Sequence, residues 1–305
     1  MNANKEKIII ITGITASGKS SLAIELAKYF NGEIINADSV IFYKYLNIGS
    51  AKPSEEELSE IKHHLIDILE PIEHFTAYDF AKRADKIIKS LSKENKLPII
   101  VGGSPLYIKA LLKGFFEIPK IDKKAKDRVQ NLLEKSGKEF LHEELKKVDL
   151  ESAEKLHPND IQRVSRALEV YYSTNNKLSN YHKEHNFKDI KYKYIKIALD
   201  YDREVIYNRI NKRVDQMINN GLIEEVKSLV ELGYRDEKVM RSIGYSEIIS
   251  YLDNKITKEE AINKIKQHTR NFAKRQTTWL KKEDITWLKD KDLPKKAIEL
   301  IENFI

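Results

Sequence analysis

Four consecutive isoleucines, Ile8 to Ile11, run straight into "TGITASGKS" at residues 12–20, and no other stretch limits the fold as strongly. A short β-branched apolar run bounded by glycine suits a strand covered on both faces, which implies a parallel sheet. Gly13, Gly18, Lys19 and Ser20 then satisfy G-x-x-x-x-G-K-[ST] between that strand and a helix expected from about Lys19 to Phe30. In such a loop the backbone amides and the helix N-terminus converge on anionic oxygens, the lysine adds a point charge, and the serine hydroxyl suits Mg²⁺. The loop therefore marks a phosphate or nucleotide-binding site. Its residues leave open whether the phosphate is that of ATP or of another ligand.

The alternation continues. "GEIINAD" reads as a second strand ending at Asp38, Thr76 caps a helix reaching about Lys93, and "LPIIVGG" is a third strand. "SPLYIKALLKG" follows as a helix with Pro105 at an early position. Strand and helix in this order predict α/β architecture. Residues 122–174 show helical periodicity alone, and 173–189 are polar enough to suggest an exposed, mobile connection. "YKYIKIALDYD" returns a strand to the sheet, and helices are expected beyond it, with Thr257 and Glu260 forming a capping box before a long basic helix. The expectation is a P-loop parallel sheet core flanked by helices, formed by 1–118 and 191–305, with an inserted all-helical lobe at 119–190.

The 305 residues contain no cysteine, which removes disulfides, thiolate metal sites and cysteine nucleophiles together. The Ile8–Ile11 run is too short for a signal-peptide core or a membrane span, so no membrane association and a cytoplasmic location are expected. The net charge of +7 is modest, but Lys264, Lys266, Arg270, Lys274, Arg275, Lys281 and Lys282 lie in one stretch without an acid. Such a stripe suits a nucleic-acid backbone.

A motor or switch NTPase needs a second strand ending in an acid for its metal, whereas "LPIIVGGS" ends in Gly102 and Gly103. The other strand ends in Asp38, at the carboxyl edge where open α/β sheets bind ligands. Asp38 before Ser39 could equally cap a short helix. Arg209 and Arg213 share a helix face and could clamp a polyphosphate or form a solvated basic face. His63 and His64 are adjacent and cannot point the same way on a regular element, which argues against a metal pair. "HPND" at 157–160 reads as a helix start capped by Asn159 or Asp160, and Arg163 and Arg166 beyond it suit an anion or a pair with Glu169. Trp279 and Trp287 read as core anchors.

Taken in order, "GITASGKS", "NADSVIFYKYLNIGSAKP", "HHLIDILEP", "VGGSPLYIKALLKG", "HPNDIQRVSRALEVY", "MINNGLIEEVKSL", "SIGYSEI" and "TRNFAKRQTTWL" resemble the tRNA dimethylallyltransferase (tRNA isopentenyltransferase) family over nearly the whole chain. The resemblance implies that the phosphate is the diphosphate of dimethylallyl diphosphate, and that the acceptor is the exocyclic amine of the adenosine 3′ to a tRNA anticodon. It implies Asp38 as general base, and Lys19, Arg213, the loop amides and Mg²⁺ on Ser20 as stabilisers of the leaving diphosphate, with Ser104 beside the reacting centre. The diphosphate stretch is Gly13, Ile14, Thr15, Ala16, Ser17, Gly18, Lys19 and Ser20. The tRNA anticodon stem-loop would meet Asp38, Ser39, Val40, Ile41, Gln162, Arg163, Val164, Ser165 and Arg166, and its backbone Arg270, Lys274 and Arg275. The target base would be flipped into a pocket, and a monomer is expected.

The chain departs from the family pattern at Ile14, usually proline, at Ile41, usually glutamine, at Ser104, usually threonine, and at Pro105. Ile41 removes a polar side chain expected near the anticodon bases. Free-AMP prenylation, a nucleotide or metabolite kinase with lid arginines, and an ATP-dependent RNA-binding module are the competing readings; the basic helix and helical lobe argue against the first of these.

Overall fold

The computed structural model describes residues 5–114, 121–185, 190–289 and 292–305. Its six strands are β1 (Lys7–Thr12), β2 (Gly32–Asn36), β3 (His63–His64), β4 (Leu97–Val101), β5 (Lys193–Leu199) and β6 (Thr286–Leu288). They form one sheet in the order β3-β2-β4-β1-β5-β6, and every pairing is parallel. The helices are α1 (Lys19–Tyr29), α2 (Glu55–Glu60), α3 (Ala77–Lys93), α4 (Pro105–Lys113), α5 (Lys123–Val148), α6 (Leu150–Lys155), α7 (Ile161–Thr174), α8 (Leu178–His185), α9 (Arg203–Asn219), α10 (Leu222–Glu231), α11 (Tyr245–Leu252), α12 (Lys258–Leu280) and α13 (Leu293–Glu302).

Side chains alternate across a strand, so the isoleucine run serves two layers at once. Ile8 and Ile10 join Ile35 and Ile100 beneath Phe80, Ile88 and Leu91 of α3 and Ile108 and Leu111 of α4. Ile9 and Ile11 join Ile34, Ile99 and Val101 beneath Leu22 and Leu26 of α1 and Ala297 and Ile301 of α13. All four are fully buried, each worth about 1.5–3 kcal/mol relative to exposure. Thr76 and Thr257 close their capping boxes as the spacing predicts.

The chain divides into two compact units, Met1–Leu112 with Lys191–Ile305, and Lys113–Ile190. The first holds the sheet and a helical layer in which Leu46, Val214, Leu222, Val226, Met240, Tyr245 and Ile265 are buried together. The second is helical among its described residues, with Leu141, Leu145, Val164 and Leu168 at its centre and Gly137, at φ +81°, interrupting α5. The expected junction at 118–119 lies outside the described residues.

Several expectations need correction. β2 stops at Asn36, because the Ala37 amide makes a last bond to the Val101 carbonyl and the chain then turns. β3 and β6 were not anticipated: two and three residues are too short to show a period. Residues 173–185 are not an exposed connection. Leu178–His185 is helical, the buried Ser179 amide donates to Asp149 Oδ2 at 3.0 Å, and Tyr181 packs near Ile121 and Val170; 186–189 lie outside the described residues. Trp279 and Trp287 are half-buried rather than core anchors.

Candidate functional site

The site grows from the carboxyl ends of β1, β2 and β4. Gly102 sits so close to the neighbouring strand end that an added Cβ would meet the Ala37 carbonyl oxygen at 2.3 Å. The Thr12 hydroxyl donates to the Gly102 carbonyl at 3.0 Å, and the Gly102 amide donates to the Ile11 carbonyl at 3.2 Å. These contacts gather the phosphate loop, Asp38 and Ser104 at one sheet edge.

The loop enters α1 through Gly18 at φ +86°, and Gly13 stands at φ +145°, both in the region that favours glycine. A Cβ at Gly13 would meet Ser17 Oγ at 3.2 Å. Ser17 Oγ is buried without a hydrogen-bond partner among the described residues. A donor left unpaired within a ring of backbone amides is what an oxyanion would satisfy.

Lys19 and Arg213 bring two cations to this place, and both line a cavity of about 300 Å³ with Gly18 and Ser20. The Lys19 residue keeps intermediate exposure, but burial around its ammonium draws the pKa down to about 8; Asp38 pushes it up and Arg213 pushes it down. Burial likewise lowers Arg213, and Asp38 opposes that shift. One carboxylate thus shares its field with both cations. Their desolvated charges are stabilised when an anion arrives. The rest of the cavity is largely apolar, lined by Ile24, Ile34, Ile41, Ile66 and Val101, with Asn36, Glu57 and His63 as polar members.

Asp38 is held in a fixed bend. Its amide donates to Asn36 Oδ1 at 3.3 Å, Asn36 Nδ2 donates back to the Asp38 carbonyl at 3.2 Å, and Asp38 Oδ1 accepts from the Val40 amide at 3.1 Å. The residue caps a turn rather than a helix. Ser39 is exposed, while Val40 and Ile41 are half-buried.

Arg209 does not join the clamp. Its guanidinium stacks on the Tyr201 ring at 4.1 Å and donates to the Ser17 carbonyl at 3.4 Å, bracing the loop from outside. His63 and His64 point to opposite sides of β3: the first lines the cavity, the second contacts Glu33 at 2.6 Å. No cluster of three or more His, Cys, Asp or Glu suited to a metal occurs among the described residues. A divalent ion here would therefore rely on Ser20 and on oxygens brought by the ligand and water, an arrangement that Mg²⁺ tolerates.

The family model described as IPP transferase matches residues 41–283. This chain belongs to the IPP transferase family. It is 47% identical over 271 residues, 88% of this chain and 86% of the relative, to a protein of Thermoanaerobacter sp. (strain X514) named tRNA dimethylallyltransferase. A protein of the same name from Carboxydothermus hydrogenoformans is 44% identical over 269 residues, with 88% and 86% covered. Among solved structures, the tRNA delta(2)-isopentenylpyrophosphate transferase of Staphylococcus epidermidis superposes with TM-score 0.72 at 41% identity, covering 98% of this chain and 99% of that one. A eukaryotic dimethylallyltransferase acting on tRNA gives TM-score 0.83 at 31% identity, with 98% and 80% covered. Like them, this family member is an enzyme on a P-loop parallel sheet.

In the helical unit, Asp160 caps α7 and accepts from the Arg163 amide at 3.3 Å. Gln162 and Arg163 are exposed, Ser165 and Arg166 half-buried, and Arg166 Nη1 donates to Glu169 at 3.5 Å. Val164 departs from the RNA-contact expectation: it is fully buried in the unit's core, as helical periodicity places it beside Leu168. On α12, Lys274 and Arg275 are exposed, whereas Arg270 is half-buried and donates to Asn211 Oδ1 at 2.7 Å. Asn36, Gln276 and the bracing role of Arg209 escaped the sequence. Gln276 stood inside the quoted "TRNFAKRQTTWL", where only the charges drew notice.

Proposed function

We propose that this chain transfers a dimethylallyl group from dimethylallyl diphosphate to the exocyclic amine of the adenosine 3′-adjacent to the anticodon in tRNAs, releasing diphosphate. The observation that carries this reading is the field of one carboxylate, Asp38, acting on two desolvated cations, Lys19 and Arg213, beside a phosphate loop. The amine lone pair attacks the allylic carbon, the carbon–oxygen bond breaks, and the electron pair leaves on the diphosphate. Lys19, Arg213 and the amides where the loop enters α1, Gly18 to Ser20, bind that growing negative charge. Asp38 accepts the amine proton as the new carbon–nitrogen bond makes it acidic. Ser104, next to Gly103 beyond the end of β4, would stand beside the reacting centre. Mg²⁺ held on Ser20 would add charge neutralisation at the diphosphate.

The apolar lining by Ile24, Ile41, Ile66 and Val101 suits a branched five-carbon tail. A kinase is disfavoured because β4 ends at Val101 and is followed by Gly102 and Gly103, so no carboxylate stands at that strand end to hold the metal of ATP. Ser39, Val40, Ile41 and the exposed face of α7, including Gln162, Arg163 and Arg166, meet the anticodon stem-loop, and Lys274 and Arg275 with Arg270 contact its backbone. The unit Met1–Leu112 with Lys191–Ile305 is the catalytic core, the unit Lys113–Ile190 grips tRNA, and the protein works as a cytoplasmic monomer. No helix among the described residues is long and apolar enough to cross a membrane.

The test is one incubation of purified protein, unmodified tRNA and labelled dimethylallyl diphosphate, with and without ATP. Label entering tRNA without ATP is the expected result. ATP turnover without label transfer would overturn the reading in favour of the kinase.

A further inference from the structure

Helix α12 presents two faces with different jobs. Ala273, Gln276 and Leu280, spaced by three and four, are buried, while Lys274, Arg275 and Lys281 are exposed. A glutamine at a position 5% exposed needs partners for both ends of its amide. Gln276 finds them on two different elements of the site. Its Oε1 accepts from the Thr15 amide at 2.9 Å, and its Nε2 donates to the Gly103 carbonyl at 3.1 Å. The orientation of the amide is fixed by chemistry, since a backbone N–H needs an acceptor and a carbonyl needs a donor.

Its nearest substitutes each lose one of these partners. Glutamate offers no donor at neutral pH, lysine offers no acceptor, and asparagine is one methylene short. The fit is close as well: a Cβ on Gly103 would lie 2.4 Å from Gln276 Nε2 and 3.1 Å from the Gly13 carbonyl. The neighbouring Ala273 packs with Ile14 and Ala16, so the same helix face also supports the loop through apolar contact.

We propose that Gln276 is a positioning residue for prenyl transfer: one amide holds the first turn of the phosphate loop at Thr15 in register with the Gly103–Ser104 turn. The inference rests on the function proposed above. Both segments converge on the reacting atoms from separate strands, β1 and β4, and a misplacement of about 1 Å between such groups can cost about 100-fold in rate. Because the RNA-facing charges of α12 lie on its other face, the amide can be removed without touching them.

The test compares wild type with Gln276→Met, which keeps the volume and removes both hydrogen bonds, and with Gln276→Glu, which keeps the acceptor alone. Expected for Gln276→Met is a fall in kcat of about 10- to 100-fold, with the KM for tRNA within about threefold. The affinity for inorganic pyrophosphate, read by calorimetry without any transfer reaction, falls about fivefold or more in the same variant. A kcat and a pyrophosphate affinity both within about twofold of wild type would overturn the proposal, whatever the change in Tm. If Gln276→Met does not fold, the same two readouts on Gln276→Glu decide. Wild-type protein that binds pyrophosphate but transfers no prenyl group would sink the function reading, and the pyrophosphate comparison would still judge Gln276.

Discussion

Arg209 and Arg213 stand one helical turn apart on α9 and serve opposite sides of the phosphate loop: Arg213 lines the cavity with Lys19, while Arg209 stacks on Tyr201 and donates to the Ser17 carbonyl. Their substitutions therefore differ in kind. On the proposed function, Arg213→Gln removes a cavity-lining charge that would meet the leaving group, and it is expected to lower kcat by about 100-fold, as loss of one oxyanion donor does. Arg209→Ala loosens the loop and is expected to raise the KM for the prenyl donor while lowering kcat less. Steady-state kinetics at saturating tRNA separate the two.

Asp38→Asn keeps the turn, because the amide oxygen still accepts from Val40. On the proposed function it removes the proton acceptor. Transfer is expected to fall by about 10²- to 10⁴-fold. Binding of unmodified tRNA, measured by filter retention, stays within a few fold. Near-normal turnover would falsify the base assignment.

The Glu225 carboxylate accepts from the amides of Asn47, Ile48 and Gly49 at 2.7–3.1 Å and from the Tyr245 hydroxyl at 2.8 Å. This fixes the segment leading to Ala51 and Pro53 at the cavity wall. Glu225→Ala leaves those donors without their acceptor and is expected to cost about 2 kcal/mol, seen as a lowered urea midpoint with unchanged m.

Acid sensitivity has an identifiable source in Glu33. Burial pushes its carboxyl up, but hydrogen bonds from Lys96 and His64, each at 2.6 Å, outweigh this and hold it below the usual range. A depressed folded pKa contributes stability that is present above the unfolded value and lost as pH falls through the folded one. Glu33→Gln should therefore destabilise the protein at neutral pH and flatten its loss of stability below pH about 4.5, followed by thermal melts across that window. An unchanged acid limb would contradict the assignment.

Glycine at 102 is required by space, since a Cβ would press on the Ala37 carbonyl at 2.3 Å. Gly102→Ala is expected to lower stability by about 1–3 kcal/mol, as overpacking does. A melt within a degree of wild type would show that the two strand ends can part.

The sheet was legible because its strands announce themselves locally: the isoleucine run, "LPIIV" and "YKYIKIAL" are long enough for burial to imprint a pattern, and caps at Thr76 and Thr257 mark their helices in four residues. β3 and β6 escaped because their place is set by partners distant in sequence, Ile34 and Ile35 for one and Ile197 to Leu199 for the other. α8 was masked by polar residues whose apolar minority, Leu178 and Tyr181, does the packing. In the site, loop residues were readable from spacing. Gln276 acts through two hydrogen bonds to backbone atoms on separate segments, Asn36 through bonds to Asp38 and to the distant Leu65 carbonyl, and Arg209 through the Ser17 carbonyl and the Tyr201 ring, which no local pattern records.

The bridge from Gln276 to Thr15 spans almost the whole chain. A ribosome has exposed the cradle motif long before it adds the amide that steadies it. Chains shortened ahead of residue 276 would thus carry the anion-binding motif without this hydrogen bond, and the loop gains that support only once α12 has been made.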